Sequence, residues 1–74
     1  MLTYYKLFDY INRKDINKSE LRAGAKLSNG TMNRLVHNEI IQTDAIDRIC
    51  EYLNCQPGQI MEYEPHNSKK NNPK

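Results

Sequence analysis

Between Asn29 and His37 the chain gathers two asparagine amides, a threonine hydroxyl, a guanidinium and an imidazole. Asn29, Thr31, Asn33, Arg34 and His37 present hydrogen-bonding groups of the kind that read base edges and hold phosphate. Met32, Leu35 and Val36 are interleaved at helical spacing, so they point inward and leave the polar residues to the other faces. Gly30, with no side chain, allows a partner to approach the backbone closely. Catalysis has far less to stand on. Ser19, Ser28 and Ser68 have no partner at recognisable spacing, no glycine-rich loop follows a strand, and the carboxylates are scattered. The sequence therefore predicts no enzyme, no cofactor and no small-molecule substrate. Cys50 and Cys55 lack the two-residue gap of a zinc or redox motif, and no pairing with His37 or His66 has ligand spacing. They are expected to be reduced, metal-free and packed as small buried hydrophobes.

The elements that must position these residues can be read from caps and periodicity. Asn17 is a good N-cap and Glu20, three residues on, completes a capping box, so a helix starts at Lys18. Leu21 and Ala25 share its inner face; Lys26 breaks the run, and Ser28 caps the next helix, expected over Asn29 to His37. Two short helices joined by so brief a break form a helix-turn-helix. Upstream, Tyr4, Leu7, Phe8 and Ile11 predict a helix from a Thr3 cap to about Arg13. Downstream, Ile46, Ile49, Cys50 and Leu53 predict a fourth after a Thr43 cap, with Asp44 in its first turn. Pro57, Ile60 and Met61 predict a short fifth. Tyr4 and Tyr52 are expected to pack in the core, and Tyr5, Tyr10 and Tyr63 to line a dimer surface. No strand is expected; Ile40-Ile41 reads as a connector whose isoleucines cannot both face water cheaply. Residues 1–64 then form one all-α, compact five-helix domain, and the polar basic segment 65–74 a disordered tail.

At 74 residues a core supplies only about 3–5 kcal/mol, so helix packing or self-association must add to it. Neither a signal peptide nor an apolar run of membrane-spanning length is written, and a cytoplasmic location is expected. The net charge of +2 is unevenly spread. Residues 1–37 hold seven Lys or Arg against three carboxylates, a net of +4, whereas residues 38–64 hold Arg48 against six, a net of −5. That polarity would orient the reading half toward phosphate.

Ile16 to Ser28 resembles the first half of the helix-turn-helix of the Cro and lambda-repressor-like family, also called xenobiotic-response-element regulators. Leu21, Ala25, Leu27 and Ser28 stand where that family places its core leucine, small alanine, apolar turn residue and second cap. Ile46, Ile49, Leu53, Asn54, Cys55, Pro57, Gly58 and Ile60 are similar to its closing segment, so the resemblance spans roughly residues 3–63. The family usually has glycine where this chain has Lys26, and an acidic residue and a glycine where it has Val36 and Asn38. The resemblance implies sequence-specific binding of a double-stranded DNA operator by a homodimeric bacterial or phage transcriptional regulator. It places Lys18 on a phosphate and Asn29, Gly30, Thr31, Asn33, Arg34 and His37 on the reading surface, with Arg22 open between contact and solvent. The alternative is the same fold used as a protein-binding module, an anti-repressor or antitoxin, through Val36 and Ile40-Ile41.

Overall fold

A two-residue strand β1 (Leu2–Thr3) leads into four helices, α1 (Tyr5–Arg13), α2 (Lys18–Gly24), α3 (Asn29–Val36) and α4 (Thr43–Leu53). A 3-10 turn (Pro57–Gln59) and strand β2 (Glu62–Tyr63) follow; the structure is a computed structural model and describes residues 1–65. Leu7 of α1, Leu21 of α2, Leu35 of α3 and Ile49 of α4 are fully buried, so every helix contributes to one core. Ala25, Leu27, Ile41 and Ile60 from the connections close it.

The fold is mostly helical, but not the five-helix, all-α domain that periodicity predicts. Pro57–Gln59 makes only one 3-10 turn, with Gln56 and Gln59 closing a box at its start. Ile60 is buried directly after it and β2 begins two residues later, so backbone groups that would extend a helix are taken by strand pairing. The strands, which were not expected, pair antiparallel as Leu2 with Tyr63 and Thr3 with Glu62. Met1 and Glu64 extend the ribbon, exchanging backbone bonds. Thr3 is therefore not a helix cap: it is buried and its hydroxyl donates to the Glu62 carbonyl at 3.4 Å.

Tyr4 takes the cap position of α1 without a side-chain cap. Its amide donates to Asn38 Oδ1 at 2.8 Å and its phenol to the Glu39 carbonyl at 2.9 Å, fastening the α3–α4 connection to the start of α1. At α4 the cap also moves by one residue. Gln42 holds extended backbone there and Thr43 is already helical. Ile41 enters the core while Ile40 stays 82% exposed, so the connector buries one isoleucine of the two. Tyr52 is not a core residue; it lies partly exposed over α2, where a Cβ on Gly24 would come within 2.2 Å of its ring. Tyr10 is half-buried and its phenol donates to the Leu53 carbonyl at 3.3 Å, whereas Tyr5 and Tyr63 are exposed.

All four helices stop in the same way. The third residue past the end of α1, α2 and α3, and the second past the end of α4, donates to a carbonyl five positions back: Ile16 to Ile11, Leu27 to Arg22, Glu39 to Arg34 and Cys55 to Cys50, at 2.8–3.0 Å. The residue before it donates three positions back, the Schellman arrangement, which requires left-handed backbone at that residue. Asp15, Lys26, Asn38 and Asn54 occupy those positions at φ 61°, 57°, 57° and 55°, and no glycine in the described chain has positive φ. Asp and Asn enter the left-handed region more readily than other residues that carry a side chain; lysine has no such preference.

Candidate nucleic-acid interface

The turn between α2 and α3 is set from both sides. The Asn17 side chain accepts from the Glu20 amide at 2.8 Å and Glu20 Oε1 from the Asn17 amide at 2.9 Å, completing the capping box expected from sequence. Lys26 turns the chain at the far end of α2, and buried Leu27 pins the exit. Ser28 then caps α3, its hydroxyl oxygen accepting from the Thr31 amide at 3.0 Å. Arg48 braces the turn from α4: its Nε donates to the Ala25 carbonyl at 3.2 Å while Asp44 holds the same guanidinium at 2.9 Å. No sequence signal points to this contact, because it joins a side chain to a backbone carbonyl 23 residues away.

With the turn fixed, α2 and α3 enclose a shallow concavity of about 300 Å³ lined by Lys18, Ser19, Arg22, Asn29, Met32, Asn33 and Val36. Lys18, Asn29 and Asn33 are thus brought together as expected. Arg22 joins them, and its spacing four residues after Lys18 is the signal that both share a face. Gly30, Arg34 and His37 do not line the concavity. At i, i+4 and i+7 they form a second, outward stripe of α3, which meets the first at Asn33. A Cβ built on Gly30 would meet only Ser28 Oγ, at 3.8 Å, so the isolated fold does not require glycine there. Thr31 is half-buried and engaged with Ser28. His37 Nδ1 lies 2.8 Å from the Asn33 carbonyl, which ties its ring to the end of the helix.

The charge on this surface is uncompensated. Among the described residues the ion pairs join Lys6 with Glu62, Arg13 with Asp9, and Arg48 with Asp44, leaving Lys18, Arg22, Lys26 and Arg34 without a carboxylate partner. Lys18 instead rests its ammonium 5.4 Å from the centre of the Phe8 ring, which orders the stem without neutralising the charge. A cationic rim around hydrogen-bonding amides attracts polyanions and positions groups for finer recognition.

The cysteines lie elsewhere, at the end of α4. They are free and half-buried rather than fully buried, and burial pushes the Cys50 thiol up, with Cys55 and Asp47 adding to the effect. Among the described residues no three His, Cys, Asp or Glu groups are placed to share a metal ion, and no helix is long and apolar enough to cross a membrane.

Residues 6–66 match the family model of the Cro/C1-type HTH DNA-binding domain. The fold is also similar to the crystal structure of the transcriptional regulator VanUg, with a TM-score of 0.85 and 37% identity over 88% of this chain and 87% of that one. No curated protein matches the chain at a significant level.

Proposed function

Because the chain belongs to the Cro/C1-type helix-turn-helix DNA-binding family, we propose that it is a transcriptional regulator whose residues 1–64 bind a double-stranded operator, with α3 in the major groove. The observation that carries this reading is the cluster of uncompensated cations around Asn29 and Asn33 on one face of a braced turn. Lys18 and the amide at its helix N-terminus hold the phosphate backbone, where both the side-chain charge and the helix dipole favour an anion. Asn29, in the first turn of α3, pairs its amide with an adenine edge, giving and accepting one hydrogen bond each. Gly30 admits the DNA closely, while Thr31, Asn33, Arg34 and His37 complete the base and phosphate contacts. A homodimer on a two-fold operator is the working form, since one short helix contacts few bases. The polar basic tail lies beyond the described residues, apart from Pro65.

Phosphate contacts and base contacts separate experimentally. Lys18→Ala weakens binding to operator and random duplex alike and lowers the salt slope by about 1. Asn29→Ala costs about 1–3 kcal/mol on the operator, little on random duplex, and relaxes discrimination at one base position per half-site. Circular dichroism checks that both variants are folded before either result is read. If neither changes DNA binding, the reading surface is misplaced; exposed Ile40 and Val36 then favour the protein-binding alternative.

A further inference from the structure

Val36, expected from its spacing to point inward with Met32 and Leu35, is instead the last residue of α3 and keeps 44% of its surface exposed, although the side chain is apolar. It follows Asn33 by three residues and Asn29 by seven, so all three lie along one face, and all three line the same concavity. Of its neighbours there, Lys18, Ser19 and Arg22 are polar or charged and the apolar Met32 is buried, so no continuous apolar patch is exposed for a protein partner. Ile40, the other conspicuous exposed hydrophobe, lies past the end of the helix and outside this concavity.

We propose that Val36 reads a thymine 5-methyl group in the major groove, beside the base pair contacted by Asn33. The inference rests on the major-groove placement of α3 proposed above. Among the groups that base pairs display in that groove, the 5-methyl is the apolar one. Residues three apart on a helix surface are about 5–6 Å from one another, whereas stacked bases rise about 3.4 Å per step. Val36 therefore falls one to two steps from the base at Asn33. An amide suited to adenine and an apolar side chain suited to a methyl, so spaced, select a half-site containing neighbouring A·T pairs. 5-Methylcytosine carries the same methyl in a different pair, and the test separates the two sources.

An operator is first enriched from a pool of random duplexes. Each thymine of a half-site is then replaced singly by deoxyuridine, which removes the methyl and leaves the pairing intact. The native protein should lose about fourfold in affinity at one thymine per half-site, the effect of burying one methyl. Val36→Ala, checked for folding by circular dichroism, should bind the thymine and deoxyuridine duplexes at that position equally. Cytosine compared with 5-methylcytosine at the same position identifies the group. A gain on methylation marks the methyl itself as what is read; no gain, with the deoxyuridine loss retained, assigns the contact to thymine in its own pair. A flat deoxyuridine scan on a tightly bound operator overturns the inference alone, as does an equal deoxyuridine loss in Val36→Ala. Failure to enrich any operator overturns the major-groove reading, and this inference with it. A flat scan on native protein overturns the inference whether or not the variant folds; should Val36→Ala fail to fold, the nearly isosteric Val36→Thr takes its place and should show a smaller deoxyuridine loss than native protein.

Discussion

Replacing Lys26 with glycine should raise the thermal midpoint by a few degrees. Lys26 holds φ 57° at the end of α2, where its Cβ crowds the following carbonyl. A left-handed residue other than glycine costs about 1–2 kcal/mol. Against that relief stand the freedom that glycine adds to the unfolded chain, about 0.4–1 kcal/mol, and the lost attraction of the lysine for the helix C-terminus, about 0.3 kcal/mol at an exposed site. The net gain is about 0.5 kcal/mol, which in a domain of this size moves the midpoint up by about 2–4 °C. Two companion substitutions at nearly the same φ sharpen the test. Asn54→Gly removes a residue that already tolerates this backbone and makes no side-chain hydrogen bond among the described residues, so its midpoint should hardly change. Asn38→Gly removes the acceptor of the part-buried Tyr4 amide and should lower stability by about 1–3 kcal/mol. Thermal unfolding followed by circular dichroism at 222 nm would give the order of the three. A clear fall for Lys26→Gly, or an Asn38→Gly midpoint as high as that of Asn54→Gly, refutes the account of the helix ends.

Gly30→Ala should separate stability from recognition. The helix gains up to about 1 kcal/mol of propensity, while the added methyl obstructs the DNA and weakens operator binding by about tenfold, equivalent to about 1.4 kcal/mol; unchanged affinity in a stabilised variant would remove Gly30 from the interface. Cys50 should alkylate slowly at neutral pH, because burial and its neighbours keep it in the thiol form. Its rate should rise with pH only beyond the ordinary thiol range, and iodoacetamide labelling at the rate of free cysteine would contradict this.

What the sequence made legible was local. The Asn17–Glu20 box, the Ser28 cap and the break at Lys26 each depend on residues a few positions apart, and each stands where the sequence places it. The errors share the opposite property. Thr3 looked like a cap because its strand partner lies 59 residues away. The fifth helix looked plausible from Pro57 and Ile60, but Ile60 is buried by entering the core and the following backbone pairs with β1. At α4 the one-residue offset arises because Ala45, Ile49 and Leu53 fix the buried face while Gln42 supplies no side-chain bond to mark the boundary. For the candidate site, residue types and helix faces were readable, as with Lys18 and Asn33. The brace from Arg48 was not, since a long side chain meeting a distant carbonyl leaves no periodic trace.

The double fastening of Tyr4 to Asn38 and Glu39 ties the fate of α3 to that of α1. An isolated helix of eight residues is too short to persist in water, since helices below about 12–15 residues are marginal on their own. Helix α3 thus has no separate existence: it is present when the beginning of the chain is docked and dissolves when that docking opens. Amide hydrogens of α3 should exchange in one cooperative step with those of α1, and a protease that finds one in its open form will find both. DNA bound to α3 as proposed would then slow cleavage within α1 as well.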